Sequence, residues 1–290
     1  MSSESKVDGT ALRGVSETAL LTLKVRATEA RRPDSIIDNP MAIELVDTID
    51  YDFTKFGFTR RQDMALRALA FDDATRAYLI DHPSATVVAL AEGLQTSFYR
   101  LAAGNPGEAG DRFRWLTVDL PPMIELRSKL LPSSDRVTVC AQSALDFSWM
   151  DAVAGTGLPA TSGTDSDGVF ITAEGLLMYL QPADALGLIA ECARRFPGGR
   201  MMFDLPPSWA AGLARRGFRA SSRYRVPPMP FTMSAAKAAT LVDTVPGIRA
   251  VHDVPYPAGR GRVLNAAMWT AQRIPLFDPV RPALTLLEFG

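Results

Sequence analysis

Short apolar runs alternate with stretches of helical spacing through the middle of the chain. Runs rich in β-branched residues are typical of parallel strands that are buried on both faces, and strands joined by helices form a doubly wound α/β sheet. The predicted strands are 86–90, 113–119, 136–141, 168–173 and 200–204, with helices at 94–102, 121–131 and 183–196 between them.

The chain before the first strand has a different pattern. Apolar residues at helical spacing predict three helices that begin near Ser16, Pro40 and Thr59. Residues 1–14 are polar, and we expect a disordered tail there. The helices precede the sheet, so we expect residues 15–82 to form a lid over its ligand-binding edge.

Residues 83–290 are expected to form the core of the protein. Within them, residues 153–168 are rich in Gly, Thr, Ser and Asp and predict a surface loop. Residues 205–242 follow the fifth strand, contain five prolines, and predict an irregular cap. Residues 248–255 and 263–272 predict two final strands, paired antiparallel at the edge of the sheet.

The first strand and the turn after it indicate a cofactor site. A strand, a turn at Gly93 and a helix form half of a nucleotide-binding unit, with the ligand outside the carboxyl end of the strand. Asp119 ends the second strand, 26 positions later, where a ribose-binding acid is expected. Ala91 and Thr96 stand where a dinucleotide fingerprint needs glycine. An adenosine cofactor without phosphates, such as S-adenosylmethionine, fits these residues better.

Composition narrows the partners and the compartment. The formal net charge of −1 gives no global field for nucleic acid or an anionic membrane. No apolar run approaches a membrane span. Cys140 and Cys192 fall inside predicted elements, which favours reduced thiols in a cytoplasmic protein. Asp165 and Asp167 resemble part of a calcium loop that lacks its glutamate, so we predict no metal site.

Two features point to a polar substrate site. Glu174 ends an apolar strand, where a carboxylate is costly to bury without a hydrogen-bonding partner, and a polar group of the cofactor would satisfy it. The segment 205–242 carries six basic residues and no acid. Following the strand that ends at Asp204, it would give a positive entrance for a small anionic substrate.

Four motifs give the chain its family resemblance. In order and spacing, VVALAEGLQTSFYRL, WLTVDLPPMIELRSKLL, VTVCAQSALDF and VFITAEGLLMYL resemble the leucine carboxyl methyltransferase family, including its tetracenomycin-type polyketide carboxyl O-methyltransferases. The resemblance implies the seven-stranded class I methyltransferase sheet, which is Rossmann-like, and S-adenosylmethionine as cofactor.

The motifs also imply roles for residues around the glycine turn. Asp119 resembles the ribose-binding acid, Gly93 lies in the cofactor loop, and Glu174 matches the glutamate of the strand-four motif. Ala91 replaces the first glycine of the family's loop, and its methyl group would narrow the cofactor cleft. Gln95 replaces the usual acid and would weaken a contact to the methionine amine.

Further candidates complete the implied site. Gln142 and Ser143 match the pair beside the adenine. Arg67 resembles the arginine that binds the carboxylate of the cofactor, and Arg26 resembles a basic residue near the same group. Tyr179 is a candidate for positioning the substrate.

The histidines favour one acceptor. His82 and His252 are the only histidines, and neither lies where a general base is expected. A phenol or alcohol usually needs a base, whereas a carboxylate is already ionised at neutral pH and needs only alignment. We therefore predict carboxyl O-methylation. Two alternatives stay open: an intramolecular reaction of the cofactor that releases methylthioadenosine, and a non-catalytic cofactor-binding protein.

Overall fold

The computed structural model describes residues 6–103, 112–155 and 168–290. Its strands are β1 (Val7–Asp8), β2 (Ile49–Asp50), β3 (Thr86–Leu90), β4 (Arg114–Asp119), β5 (Val137–Ala141), β6 (Val169–Ala173), β7 (Arg200–Leu205), β8 (Ile248–Asp253) and β9 (Ala283–Phe289).

Its helices are α1 (Thr18–Ala30), α2 (Pro40–Thr48), α3 (Asp63–Asp81), α4 (Ser97–Ala102), α5 (Pro121–Leu130), α6 (Trp149–Gly155), α7 (Pro182–Arg195), α8 (Ser208–Arg215), α9 (Ala235–Ala239), α10 (Leu241–Thr244) and α11 (Arg262–Arg273). Short 3-10 turns lie at Phe53–Phe56, Leu177–Tyr179 and Pro275–Val280.

A mixed seven-stranded sheet forms the centre of the molecule. Its strand order is β5-β4-β3-β6-β7-β9-β8. The first five strands in this order are mutually parallel, and β9 runs antiparallel to β7 and β8. The chain order reverses between β3 and β6, so the ligand crevice of such a sheet lies outside their carboxyl ends. The predicted doubly wound seven-stranded sheet is confirmed.

Apolar side chains on both faces of the central strands hold the layers together. Val88 and Ile171 pack with α6 and α7 on one face, and Val87 and Phe170 pack with α3 and α4 on the other. Alternate residues of a strand point to opposite faces, so two buried faces require a continuous apolar run. This explains why the strands of the sheet's centre were predictable from the sequence.

The N-terminal helices form as predicted, while part of the predicted tail is ordered. Asn39 accepts a hydrogen bond from the backbone N–H of Ala42 and so caps α2, which begins at Pro40. Val7–Asp8 pair with Ile49–Asp50, and Leu12 is buried. The expectation of disorder is therefore wrong for this stretch, because a short parallel pairing attaches it to the end of α2.

One predicted strand is wrong. Residues 263–272 lie within α11, and the partner of β8 is β9, which is antiparallel to it. Residues 263–272 are rich in Ala, Leu, Met and Gln, which favour helix, whereas β9 buries most of its side chains against both neighbours. The strand predicted at 248–255 is confirmed as Ile248–Asp253.

The connecting segments differ in how well the sequence predicted them. The segment 205–242 was expected to be irregular, and it contains α8 and α9 as well as the start of α10. The loop predicted at 153–168 lies largely outside the described residues, between the end of α6 and the start of β6.

Across the described ranges, no helix combines the length and the apolar run that crossing a bilayer requires.

Candidate active site

A cleft of about 310 Å³ opens at the carboxyl ends of β3, β4 and β6. The loops after these strands form one side of the cleft. The turn before α1 and its first residues form the other side, through Val15, Ser16, Thr18, Ala19 and Thr22. Eight of the nine predicted site residues line it: Arg67, Ala91, Gly93, Asp119, Gln142, Ser143, Glu174 and Tyr179. The ninth, Arg26, does not.

The acid at the end of β4 is held by backbone donors. The two carboxylate oxygens of Asp119 accept hydrogen bonds of 2.7 Å from the N–H groups of Gly93 and Leu120. Burial raises the pKa of Asp119, and these two bonds oppose the rise. The side chain is therefore fixed at the cleft wall and can accept further bonds from a ligand.

The pair after β5 contributes to the same wall. The Gln142 amide donates 2.8 Å to the Asp146 carbonyl and 2.9 Å to the Ser148 hydroxyl. The Ser143 hydroxyl accepts a bond of 3.2 Å from the N–H of Leu145. These bonds stabilise the turn that places Gln142 and Ser143 at the cleft.

The loop after β3 has a backbone that favours glycine. Ala91 has a φ of +49°, and among the described residues it is the one non-glycine with a positive φ. A residue with a Cβ pays about 1–2 kcal/mol for this conformation. Gly93 has a φ of +58°, and a Cβ there would lie 3.0 Å from the Cβ of Ala19. Ala91 is therefore strained at a position where the sequence motif predicts glycine, while Gly93 allows α1 to cover the loop.

Two buried arginines hold the carbonyl groups of this loop. Arg127 of α5 donates 2.6 Å to the Gly93 carbonyl and 3.1 Å to the Gln95 carbonyl, and it pairs with the Glu92 carboxylate at 2.9 Å. Arg26 of α1 donates 2.9 Å to the Leu94 carbonyl. Three consecutive carbonyl groups thus bond to guanidinium groups, which fixes the loop.

Arg26 does not line the cleft, and its place near the carboxylate of the cofactor stays a prediction. The side chain is 1% exposed, bonds to the Leu94 carbonyl, and interacts electrostatically with Glu174 and Arg67. Burial and the like charges of Arg100 and Arg67 lower its pKa to about 9, so it is charged at neutral pH. Its Nε and Nη1 atoms are buried without a partner in the described part of the chain.

A charge network closes the other end of the cleft. Arg67 donates from Nε to Glu174 at 2.9 Å and from Nη1 to Asp204 at 3.1 Å. Burial alone would lower the pKa of Arg67, but the two carboxylates outweigh it and the pKa is raised. Gln95 donates to both oxygens of Glu174, at 2.8 and 2.7 Å.

This network shows what Gln95 does at the position where the sequence motif predicts an acid. The Gln95 amide bonds to Glu174, whereas a carboxylate at the same place would repel it. Asp204 also accepts a 2.6 Å bond from the N–H of Gly175, whose φ of +67° lets the chain pass close to Arg67. A lost acid is therefore accommodated by a hydrogen bond.

The remaining polar candidates have clear positions. Tyr179 lines the cleft, and burial raises the pKa of its phenol. His82 stacks on Tyr78, and His252 lies 3.5 Å from Glu288 near the sheet edge; neither lines the cleft. Within the described ranges, no group of three or more His, Cys, Asp or Glu could hold a metal ion.

The basic cap is arranged differently from the expectation of an open entrance. None of the basic residues in 205–242 lines the cleft. Arg223 donates 2.6 Å to Asp52 and 2.7 Å to the Thr54 hydroxyl, so it joins the cap to the turn that follows β2.

Sequence reasoning missed Arg127, although a signal was present. Arg127 lies on the buried face of α5 with Met123 and Leu126, at a position where helical spacing demands an apolar residue. An arginine at such a position must find buried partners, because an unpaired buried charge is costly. The sequence does not show that those partners are in the loop after β3.

The strand order and the position of the cleft define the class of protein. The last strand, β9, is inserted antiparallel between β7 and β8, and a cleft lies over the carboxyl ends of β3, β4 and β6; this is the arrangement of class I methyltransferases. A putative methyltransferase from Thermobifida fusca superposes with a TM-score of 0.55 at 12% identity, covering 93% of this chain and 94% of that one. A DUF574 family protein from Streptomyces avermitilis gives 0.53 at 14% identity, covering 93% and 97%.

Sequence comparison gives the family. The family model described as leucine carboxyl methyltransferase matches residues 19–193. The tetracenomycin polyketide synthesis O-methyltransferase of Streptomyces glaucescens is 33% identical over 241 residues, 82% of each chain. A putative S-adenosyl-L-methionine-dependent methyltransferase of Mycolicibacterium smegmatis is 30% identical over 239 residues, 73% of this chain and 72% of that protein.

The chain therefore belongs to the leucine carboxyl methyltransferase family. This confirms the predicted family, and with it an S-adenosylmethionine-dependent methyltransferase.

The first prediction from the site concerns the amide at Gln95. In Gln95→Glu, repulsion from Glu174 should raise the pKa of one of the two carboxyl groups above its unfolded value of about 4.3. The folded state then binds a proton more tightly than the unfolded state, so the loss of stability grows as pH rises. In urea unfolding of the unliganded protein, we expect the variant to lose about 1–3 kcal/mol of unfolding free energy at pH 8 and less at pH 5.

Gln181→Glu is the matched control, because Gln181 is exposed, does not line the cleft, and is not a hydrogen-bonding partner of Glu174. A Gln95→Glu variant with the same stability deficit at both pH values would show that the two side chains do not interact.

The second prediction concerns the support of the loop by Arg127. Arg127→Lys keeps a charge near Glu92 but cannot reach both carbonyl groups at once. We expect it to lower the free energy of unfolding by about 1.5–3 kcal/mol, the range for hydrogen bonds to a charged group, and to weaken binding of S-adenosylhomocysteine. Chemical denaturation and calorimetry measure the two effects.

Lys129→Ala on the same helix is the control, because Lys129 is exposed and pairs only with Glu125. Unchanged cofactor affinity in a destabilised Arg127→Lys protein would mean that the arginine stabilises the fold without shaping the loop.

Proposed function

We propose that this protein transfers the methyl group of S-adenosylmethionine to a carboxylate of a small molecule, of the polyketide or secondary-metabolite kind. One observation carries the choice of acceptor. The ionisable groups that line the cleft are Arg67, Glu92, Asp119, Glu174 and Tyr179. Each carboxylate among them accepts hydrogen bonds from the protein, and burial raises the pKa of Tyr179. The cleft thus lacks a free general base, within the described residues.

The residues present suit an adenosine cofactor with an amino acid tail. Asp119 would accept hydrogen bonds from ribose hydroxyls, and Gln142 and Ser143 would flank the adenine. At the other end, Arg67 keeps Nη2 without a hydrogen bond from the described residues, so it could bind a carboxylate. Glu174 would accept from the amine. When bound, the cofactor supplies a methyl group activated by a sulfonium.

A carboxylate acceptor demands little acid–base chemistry from the protein. Its pKa is near 4, so it is ionised at neutral pH, and it can attack the methyl carbon in line without losing a proton. The task left to the residues is to hold the two reactants in contact and to exclude water. The beginning of α1 would cover the reactants, and Tyr179 would position the acceptor.

The relatives support this choice. The family model is named for a carboxyl methyltransferase, and the Streptomyces glaucescens relative is named for O-methylation in polyketide synthesis. The basic cap gives weaker support for an anionic substrate, because Arg223 is engaged with Asp52.

The test uses methyl-labelled S-adenosylmethionine and a set of small carboxylic acids, each paired with its primary amide and its alcohol. We expect labelled methyl ester and S-adenosylhomocysteine from an acid, and no product from its partners. Without a titrating base, kcat/KM for the acid should stay level between about pH 6 and pH 9. Mass analysis of the products and a pH profile measure both.

Three results would contradict the proposal. Methyl transfer to the alcohol with a rate that rises with pH would indicate a base. Release of methylthioadenosine without an acceptor would indicate an intramolecular reaction of the cofactor. Tight binding of the cofactor without turnover of any acid would indicate a binding protein.

A further inference from the structure

A second cavity, about 760 Å³ in volume, lies on the outside of the N-terminal lid. We call it the outer cleft. The end of α1, the turn after it, the loop before α3 and one residue of the β8–β9 connection form its walls. Its lining residues are Lys24, Thr28, Glu29, Arg31, Arg32, Pro33, Asp34, Thr59, Arg60 and Arg260.

The outer cleft is separate from the candidate active site. Thr18 and Thr22 of α1 line the active-site cleft, whereas Lys24, Thr28 and Arg31 line the outer cleft. The first two are four residues apart on one side of the helix, and the other three are spaced by four and three on a different side. No residue lines both cavities.

Positive charge is concentrated in the outer cleft. Its lining carries five lysine or arginine side chains and two carboxylates, in a protein whose formal net charge is −1. Three of these cations have structural roles. Arg260 pairs with the buried Glu29, and Arg32 pairs with Asp34 at 2.9 Å. Arg31, at the end of α1, pairs with Asp47 of α2.

Lys24 and Arg60 have no such explanation. Neither forms an ion pair with a carboxylate in the part of the chain that the structure describes. Lys24 is half-buried, with its ammonium 5.6 Å from the centre of the Phe53 ring. Burial and the neighbouring charge of Arg31 lower the pKa of Lys24. A bound anion would favour the charged form of this ammonium group.

Hydroxyl groups stand beside these cations. The Thr28 hydroxyl donates 2.7 Å to the Lys24 carbonyl and lies 3.4 Å from the Thr59 hydroxyl, so the Thr59 hydroxyl is the one whose proton can turn toward a ligand. Guanidinium, ammonium and hydroxyl donors together are the groups that bind phosphoryl oxygens. The volume exceeds the need of a single carboxylate.

We propose that the outer cleft binds a small polyanion that carries phosphoryl groups, held by Lys24 and Arg60 with help from the Thr59 hydroxyl. The site does not depend on the reaction in the active-site cleft.

The test is calorimetric titration of the whole protein with inorganic pyrophosphate at constant ionic strength. We expect saturable one-site binding to the natural protein. The double variant Lys24→Gln with Arg60→Gln should bind pyrophosphate at least about tenfold more weakly, since it loses two charge-assisted contacts. The single variant Lys24→Gln should show an intermediate loss.

The control is Lys129→Gln with Arg114→Gln, which removes two exposed cations elsewhere and should leave pyrophosphate binding unchanged. Binding of S-adenosylhomocysteine checks that each variant is folded and should be equal in all. If a titration with chloride at the same ionic strength gave the same heats as the titration with pyrophosphate, the proposal would be overturned. Equal pyrophosphate affinity of the natural protein and the Lys24 and Arg60 variants would also overturn it.

Discussion

The structure of the cofactor cleft depends on one constraint: a guanidinium group taken out of water must find partners. Arg26 and Arg127 are both nearly fully buried. Arg127 bonds to the carbonyl groups of Gly93 and Gln95 and pairs with the Glu92 carboxylate. Arg26 bonds to the Leu94 carbonyl through Nη2, while its Nε and Nη1 have no partner among the described residues. Leaving such a charge unpaired costs several kcal/mol, so the loop after β3 cannot relax without exposing the arginines.

The fixed loop explains other features of the cleft. With its carbonyl groups held by the arginines, the loop presents the N–H of Gly93 to Asp119 and the side chain of Gln95 to Glu174. The same support offsets the strained backbone of Ala91. The two departures from the family's motif are therefore compatible with a formed cleft, and neither requires a loss of function.

Much of this arrangement could be predicted, and the exceptions have physical reasons. Buried strands require continuous apolar runs, so their ends, and with them Asp119 and Glu174, were placed by topology. The bond from Arg26 to the Leu94 carbonyl was not predictable, because helical spacing gives the face of a residue but not what packs against it. Residues 263–272 were assigned to a strand because a partly apolar stretch resembles one until burial is known; no residue of α11 is fully buried.

The central claim is that Asp119, held by this loop, binds the cofactor ribose. A thermodynamic cycle tests it most directly, with calorimetric binding of S-adenosylhomocysteine and its 2′,3′-dideoxy analogue to the natural protein and to Asp119→Ala. The account predicts that Asp119→Ala lowers the binding free energy of S-adenosylhomocysteine by about 1.5–3 kcal/mol. It predicts little change for the analogue, because the analogue lacks the ribose hydroxyls that Asp119 would bond. Equal losses for the two ligands would contradict it, because Asp119 would then act only through the loop.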